Sequence, residues 1–197
     1  MLDRVKAIED FSKIRVEVNS LGLIPAFGVM IQNLPSGFWN RFSRKILDAA
    51  GEDLFDATEA LLENAAAECG YHTGYGIMTS DEFEAVLGPH IKDDKQGLLH
   101  GLYAVFCAWG WADAEIVELV PFEKMIVHAY DYYESDIDSN ERHFAYMIKG
   151  ISRAFMDLAF SEPYPNGLGG YSCVQTKGIE KGDDYGEFIV KPANPID

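Results

Sequence analysis

Five histidines (His72, His90, His100, His128, His143) and three cysteines (Cys69, Cys107, Cys173) are the side chains here best suited to hold a metal, move a proton or attack a carbon. Glu68, Cys69 and His72 fall on neighbouring rows of one helix, so together they offer two or three ligands that a second element, around His100 or His143, would have to complete. Such spacing is common, and it makes them weak metal candidates. His100, Tyr103 and Cys107 share another helical face, and with Phe106, Trp109 and Trp111 nearby they can line a mostly apolar pocket with a few inward polar groups. His128 and Tyr130, two apart in a strand pattern, point the same way. Each has a plainer alternative. A lone histidine near a core is commonly a hydrogen-bonded packing residue, and an aromatic stripe at helical spacing is core, above all at Phe106. No nucleophile elbow, P-loop, dinucleotide fingerprint or zincin motif is present, so the sequence leans away from catalysis.

The elements that position these residues belong to a chain of ordinary globular make-up. Its 197 residues suit one domain, or a domain with a small N-terminal extension, and 48% apolar against 24% charged residues suits a packed core. Thirty-two acidic residues against sixteen basic give a net charge of -16, a sign that repels phosphate backbones and anionic headgroups, so no nucleic acid is expected as partner. Three cysteines without CxxC spacing exclude a disulfide framework and fit a reducing cytoplasm. The N-terminus lacks a long apolar run, so neither secretion nor membrane insertion is expected.

Patterning predicts strands at "KIRVEV" (13–18) and "AFGVMIQ" (26–32), then a helix from Ser36 to a break at Gly51. A second helix runs into "AAECGYHTGYG", where Gly70, Gly74 and Gly76 weaken it unless something approaches closely. A third region begins near Ser80, is interrupted at residues 88–90 and resumes as the nearly all-apolar "KQGLLHGLYAVFCAWGW". "AEIVELV" and "KMIVHAY" read as paired strands. A last amphipathic helix follows, with Asp138 or Ser139 as cap, and two more strands, "YSCVQTK" and "YGEFIVK", close the chain. This order predicts an α+β domain: an antiparallel sheet of about four strands on a layer of long helices, with residues 1–35 as an N-terminal extension and 36–197 as the domain proper.

From about residue 38 to 191 the chain resembles the 4-vinyl-reductase domain family, whose fold is shared with subunits of the TRAPP vesicle-tethering complex. The resemblance rests on "AAECGYHTGYG", "WGW" followed by "EIVEL", "HFAYMIKGISRAF" and above all the closing "TKGIEKGDDYGEFIV". In the family that hairpin reads Glu-Thr-Lys-Cys, two variable residues, Lys-Gly-Asp and, two residues on, Cys-x-Phe. Here Gln175 takes the place of the glutamate, and Gly178 and Gly186 the places of two cysteines. In aromatic-sensing members, the input domains of transcription activators, these positions hold zinc with a further cysteine before the last helix, near Arg142 or His143 here. Glycine has no ligating side chain, so the resemblance implies that the zinc site is lost and no cofactor is bound. It also implies that His100 stands where phenol-sensing members hydrogen-bond the ligand hydroxyl, with Tyr130, or His128 on the same face, as second partner.

The function expected is a binding or sensing domain for a small hydrophobic or aromatic molecule held by His100, Tyr103, Cys107, Trp109, His128 and Tyr130. One alternative is an accessory protein or enzyme of tetrapyrrole vinyl-group metabolism. Another is a homodimeric interaction scaffold paired through the stripe of the 138–160 helix.

Overall fold

The computed structural model describes residues 2–32, 34–35, 37–91, 94–136 and 142–193. The caps expected at Asp138 or Ser139 lie outside these residues. The chain begins with a helix, α1 (Arg4–Ser12), whose Asp3 carboxylate accepts from Lys6 N at 3.1 Å and closes the first turn. Ala7 and Phe11 bury its inner face, and Phe11 meets the rings of Phe27 and Phe83, each 5.8 Å away.

Residues 13–18 form no strand. The apolar run expected as one strand over 26–32 is instead a tight hairpin, β1 (Ile24–Ala26) against β2 (Val29–Ile31), with Ile24 opposite Ile31. Phe27 and Gly28 both take positive φ, 50° and 69°, the geometry of a two-residue hairpin turn. Burial of the Phe27 ring, fully inaccessible, holds that conformation, and a side chain at Gly28 would place Cβ 2.7 Å from Gly76 O. The ribbon therefore sits on the helix carrying Gly76.

Helices α2 (Gly37–Ala50), α3 (Phe55–Met78), α4 (Asp81–Ile91) and α5 (Lys95–Ala108) follow, with α4 running through the expected break at 88–90. The glycines of α3 mark a close crossing with α6 (Tyr146–Phe160): a Cβ on Gly70 would lie 3.0 Å from Ile151, one on Gly74 2.7 Å from Leu158, and one on Gly150 2.6 Å from Glu63 O. Backbone proximity repays what those glycines cost in helix propensity.

The strands β3 (Ala112–Val120), β4 (Lys124–Tyr132), β5 (Tyr171–Lys177) and β6 (Gly186–Pro192) make one antiparallel sheet in the order β3-β4-β6-β5. Met125, Val127 and Ala129 pair with Val190, Phe188 and Gly186, and this face, with Tyr171 and Cys173, is buried in the core shared with α5 and α6. Period-two alternation puts His128, Tyr130 and Glu187 on the outer face. The protein is thus an α+β domain, a four-stranded antiparallel sheet covered on one side by helices, and α1 and Phe27 belong to the same core.

Candidate ligand-binding site

A cavity of about 700 Å³ lies among the helices. Its walls are Cys69, Gly70, Thr73 and Ile77 of α3, Leu102 and Phe106 of α5, and Met147, Ile151 and Phe155 of α6. The ribbon adds Val29, Met30 and Ile31, the start of α2 adds Phe38 and Trp39, and the turn after α5 adds Trp109 and Trp111. Among the described residues no side chain of β3 to β6 reaches it, so the chamber lies between helices and ribbon, on the side of the helical layer away from the sheet. Phe106 and Trp111 stack at 5.9 Å, and Trp111 meets Tyr133 edge-on at 5.3 Å, which makes one end aromatic.

Two residues of this wall carry a polar atom buried without a hydrogen-bond partner and shut off from the open space of the cavity, the Tyr133 hydroxyl and Trp39 Nε1. A buried polar group left unpaired costs about 1–3 kcal/mol. Burial also drives the Tyr133 phenol far above its ordinary pKa, with neighbouring Glu134 adding to the effect, so it stays a neutral O–H. No lysine, arginine or histidine lines the cavity among the described residues, and an anion would find no counter-charge there.

Tyr133 is the middle of three consecutive residues that face three ways. Tyr132 donates its hydroxyl to Glu180 and accepts from Ile179 N at 3.1 Å. Glu134, almost fully buried, accepts from Met147 N at 2.9 Å and Ile148 N at 3.2 Å and so caps α6 from a distant loop. Desolvation pushes its carboxyl up to about 8, against the two N–H groups that favour ionisation.

The positions that the resemblance sets against the family's zinc ligands, Gln175, Gly178 and Gly186, surround one hydrogen-bonded cluster. Glu180 accepts from Gln175 Nε2 at 2.7 Å and Phe144 N at 3.3 Å, while Gln175 Oε1 accepts from Ala145 N at 3.4 Å. A Cβ on Gly178 would lie 2.7 Å from Gln175 Nε2 and from Glu180 Cδ, and one on Gly186 would lie 2.9 Å from Tyr132 Cε1 and Phe188 Cε2. Both glycines therefore face this one cluster, whose volume Tyr132 and Glu180 occupy. The donor set does not fit a thiolate-bound ion. Arg142 lies over the Phe55 ring at 4.1 Å, and His143 is held below its usual pKa, chiefly by burial.

Of the residues singled out in the sequence, Trp109 lines the cavity, as do Phe106, Trp111 and Cys69. The others are placed elsewhere. Tyr103 is buried and donates to Ser152 Oγ at 2.7 Å. Cys107 exchanges hydrogen bonds with Ala114 of β3, and His100 is half-buried on α5, its pKa lowered by desolvation. His128 meets Glu187 at 3.0 Å and Tyr130 donates to Glu115 at 2.6 Å, both on the outer sheet face. Glu68 is exposed, Cys69 lies 3.9 Å from Thr73 Oγ1, and His72 Nδ1 is 2.9 Å from the Tyr164 hydroxyl. Among the described residues no three His, Cys, Asp or Glu side chains gather as a metal site. The His90 side chain lies outside the described residues.

Fold and cavity together describe an α+β domain of the TRAPP-subunit type with a mainly apolar cavity, partly open to solvent, among its helices. The phenol-responsive sensory domain of the transcription activator PoxR, crystallised with phenol, superposes with a TM-score of 0.69 at 10% identity over 98% of this chain and 91% of that one. Trafficking protein particle complex subunit 3 from Naegleria fowleri, covalently bound to palmitic acid, gives 0.50 at 14% identity over 79% of this chain and 95% of that one. At such identities the likeness is one of fold. No protein-family model and no curated protein sequence matches the chain.

Proposed function

We propose that this protein is a binding and sensing domain for a neutral, largely apolar small molecule that carries one hydrogen-bonding oxygen or nitrogen, a phenol or comparable aromatic in the first instance. The observation that carries the proposal is the cavity of about 700 Å³ itself, walled mainly by aliphatic and aromatic side chains, with Gln32 and Thr73 as polar residues in its lining and no cationic side chain among the described residues. Burial of the guest's body supplies affinity at about 25 cal/mol per Å² of apolar surface, and the polar lining at Gln32 and Thr73 orients its head. The phenol of the first structural neighbour and the acyl chain of the second support an apolar guest.

We also assign the chain to the 4-vinyl-reductase type, on its closing hairpin, as a member in which Gln175, Glu180 and Tyr132 tie the hairpin to the start of α6 without zinc. We read residues 1–35 as an N-terminal extension, of whose described residues Val16, Val18, Ile24, Val29, Met30 and Ile31 line the cavity. Calorimetric titration with para-alkylphenols, the matching alkylbenzenes and the matching benzoates tests the ligand class. Alkylphenols bind most tightly, alkylbenzenes more weakly, and benzoates not at all. Equal affinity across the three series, or preference for the benzoates, would refute the reading. Metal analysis of the purified protein gives no stoichiometric zinc, and chelation leaves its melting temperature unchanged.

A further inference from the structure

Cavity-lining residues Val18, Met30, Leu34 and Phe38 are exposed, so the cavity opens beside a stretch of surface that is both apolar and, in its segment of chain, basic. Val18, Leu21, Leu23, Met30, Phe38 and Phe42 are 62, 79, 45, 64, 46 and 42% exposed. Phe38 and Phe42 stack 6.0 Å apart on the solvent side of α2. Residues 13–50 hold five basic side chains, Lys13, Arg15, Arg41, Arg44 and Lys45, against two acidic ones, Glu17 and Asp48, within a chain of net charge -16. Arg15, Arg41, Arg44 and Lys45 are exposed, and among the described residues they join no ion pair. A cluster of large exposed apolar side chains marks an interaction surface, and one flanked by unpaired cations matches the make-up of segments that lie in a headgroup layer.

We propose that this face, the ribbon with the N-terminal half of α2, docks on an anionic lipid bilayer, and that the apolar guest passes between bilayer and cavity there. The second half rests on the ligand reading above. The acidic bulk of the molecule does not oppose docking, because charges further than about 8 Å from the headgroups are screened at physiological salt. Asp48, Glu52 and Asp53 follow at the far end of α2 and fix the tilt: that end turns from the membrane while Arg41 and Arg44 turn toward it. A second copy of the chain is the competing occupant. A two-fold contact sets this face against itself, and its cations against the same cations.

Co-sedimentation of the full chain with phosphatidylcholine vesicles, with and without phosphatidylserine, tests the proposal. Binding is expected to the phosphatidylserine vesicles and to fall with added salt. The triple change Arg41→Glu, Arg44→Glu, Lys45→Glu weakens it on the order of a hundredfold, and Leu21→Ser with Phe42→Ser abolishes it. Leu21 and Phe42 do not themselves line the cavity, Phe42 only packing on Trp39 at 5.6 Å, so that second variant still binds para-alkylphenols in vesicle-free solution. Absence of co-sedimentation, indifference to both variants, or a dimer in light scattering that Leu21→Ser with Phe42→Ser dissociates would each overturn docking. Vesicle binding that responds to the variants in a protein that ignores alkylphenols upholds docking and removes the ligand reading instead.

Discussion

Tyr133 matters through what does not reach it. Its hydroxyl has no protein partner and no open space beside it, so Tyr133→Phe should leave the ligand-free melting temperature unchanged or raised. Thermal denaturation of both proteins checks this. Glu134 titrates in the opposite sense from most carboxylates. Unfolded, it ionises near pH 4.3, roughly; folded, it holds its proton up to about 8. Its contribution to stability is full below the lower value and is lost as pH rises toward the upper one, so urea midpoints should fall across that window. Glu134→Gln should flatten the slope. Neither residue is marked in the sequence. Tyr133 follows a strand pattern and Trp39 opens an amphipathic helix, and only tertiary packing decides which polar groups end up unpaired. His100 and Tyr130 carry the more familiar chemistry, yet one lies half-buried elsewhere on α5 and the other on the outer sheet face.

At the scale of elements, the crossing of α3 and α6 is the tightest contact around the chamber. Gly150→Ala should destabilise the protein by about 1–3 kcal/mol, because the new methyl meets Glu63 O, Ala66 Cβ and Ala67 N at 2.6–2.7 Å, and backbone cannot yield as a flexible side chain does. Chemical denaturation measures it. Sequence patterning located α2, α3, α5 and all four strands of the main sheet, since their periodicities of 3.6 and 2 are local signals. It placed a strand over 13–18 where none forms, and it merged β1 and β2, because a turn with Phe at its first position is invisible to turn propensities that favour glycine or asparagine there. The cap of α6 escaped for a similar reason: Glu134 arrives from twelve residues before the helix, outside any capping-box spacing.

At the scale of the whole molecule, a charge of -16 makes the folded state repel itself, so sodium chloride should raise the melting temperature by screening. Scanning calorimetry across a salt series checks it. The chamber is enclosed by long helices on one side and on the other by a ribbon of two three-residue strands. An isolated two-stranded hairpin is marginal in water, so that wall opens at far lower free energy than the helical one. Amide exchange should therefore be fastest at residues 13–31 in the empty protein and slow there once an alkylphenol is bound. The guest's residence time is then governed by how often this thin door swings, and hardly at all by the global unfolding rate.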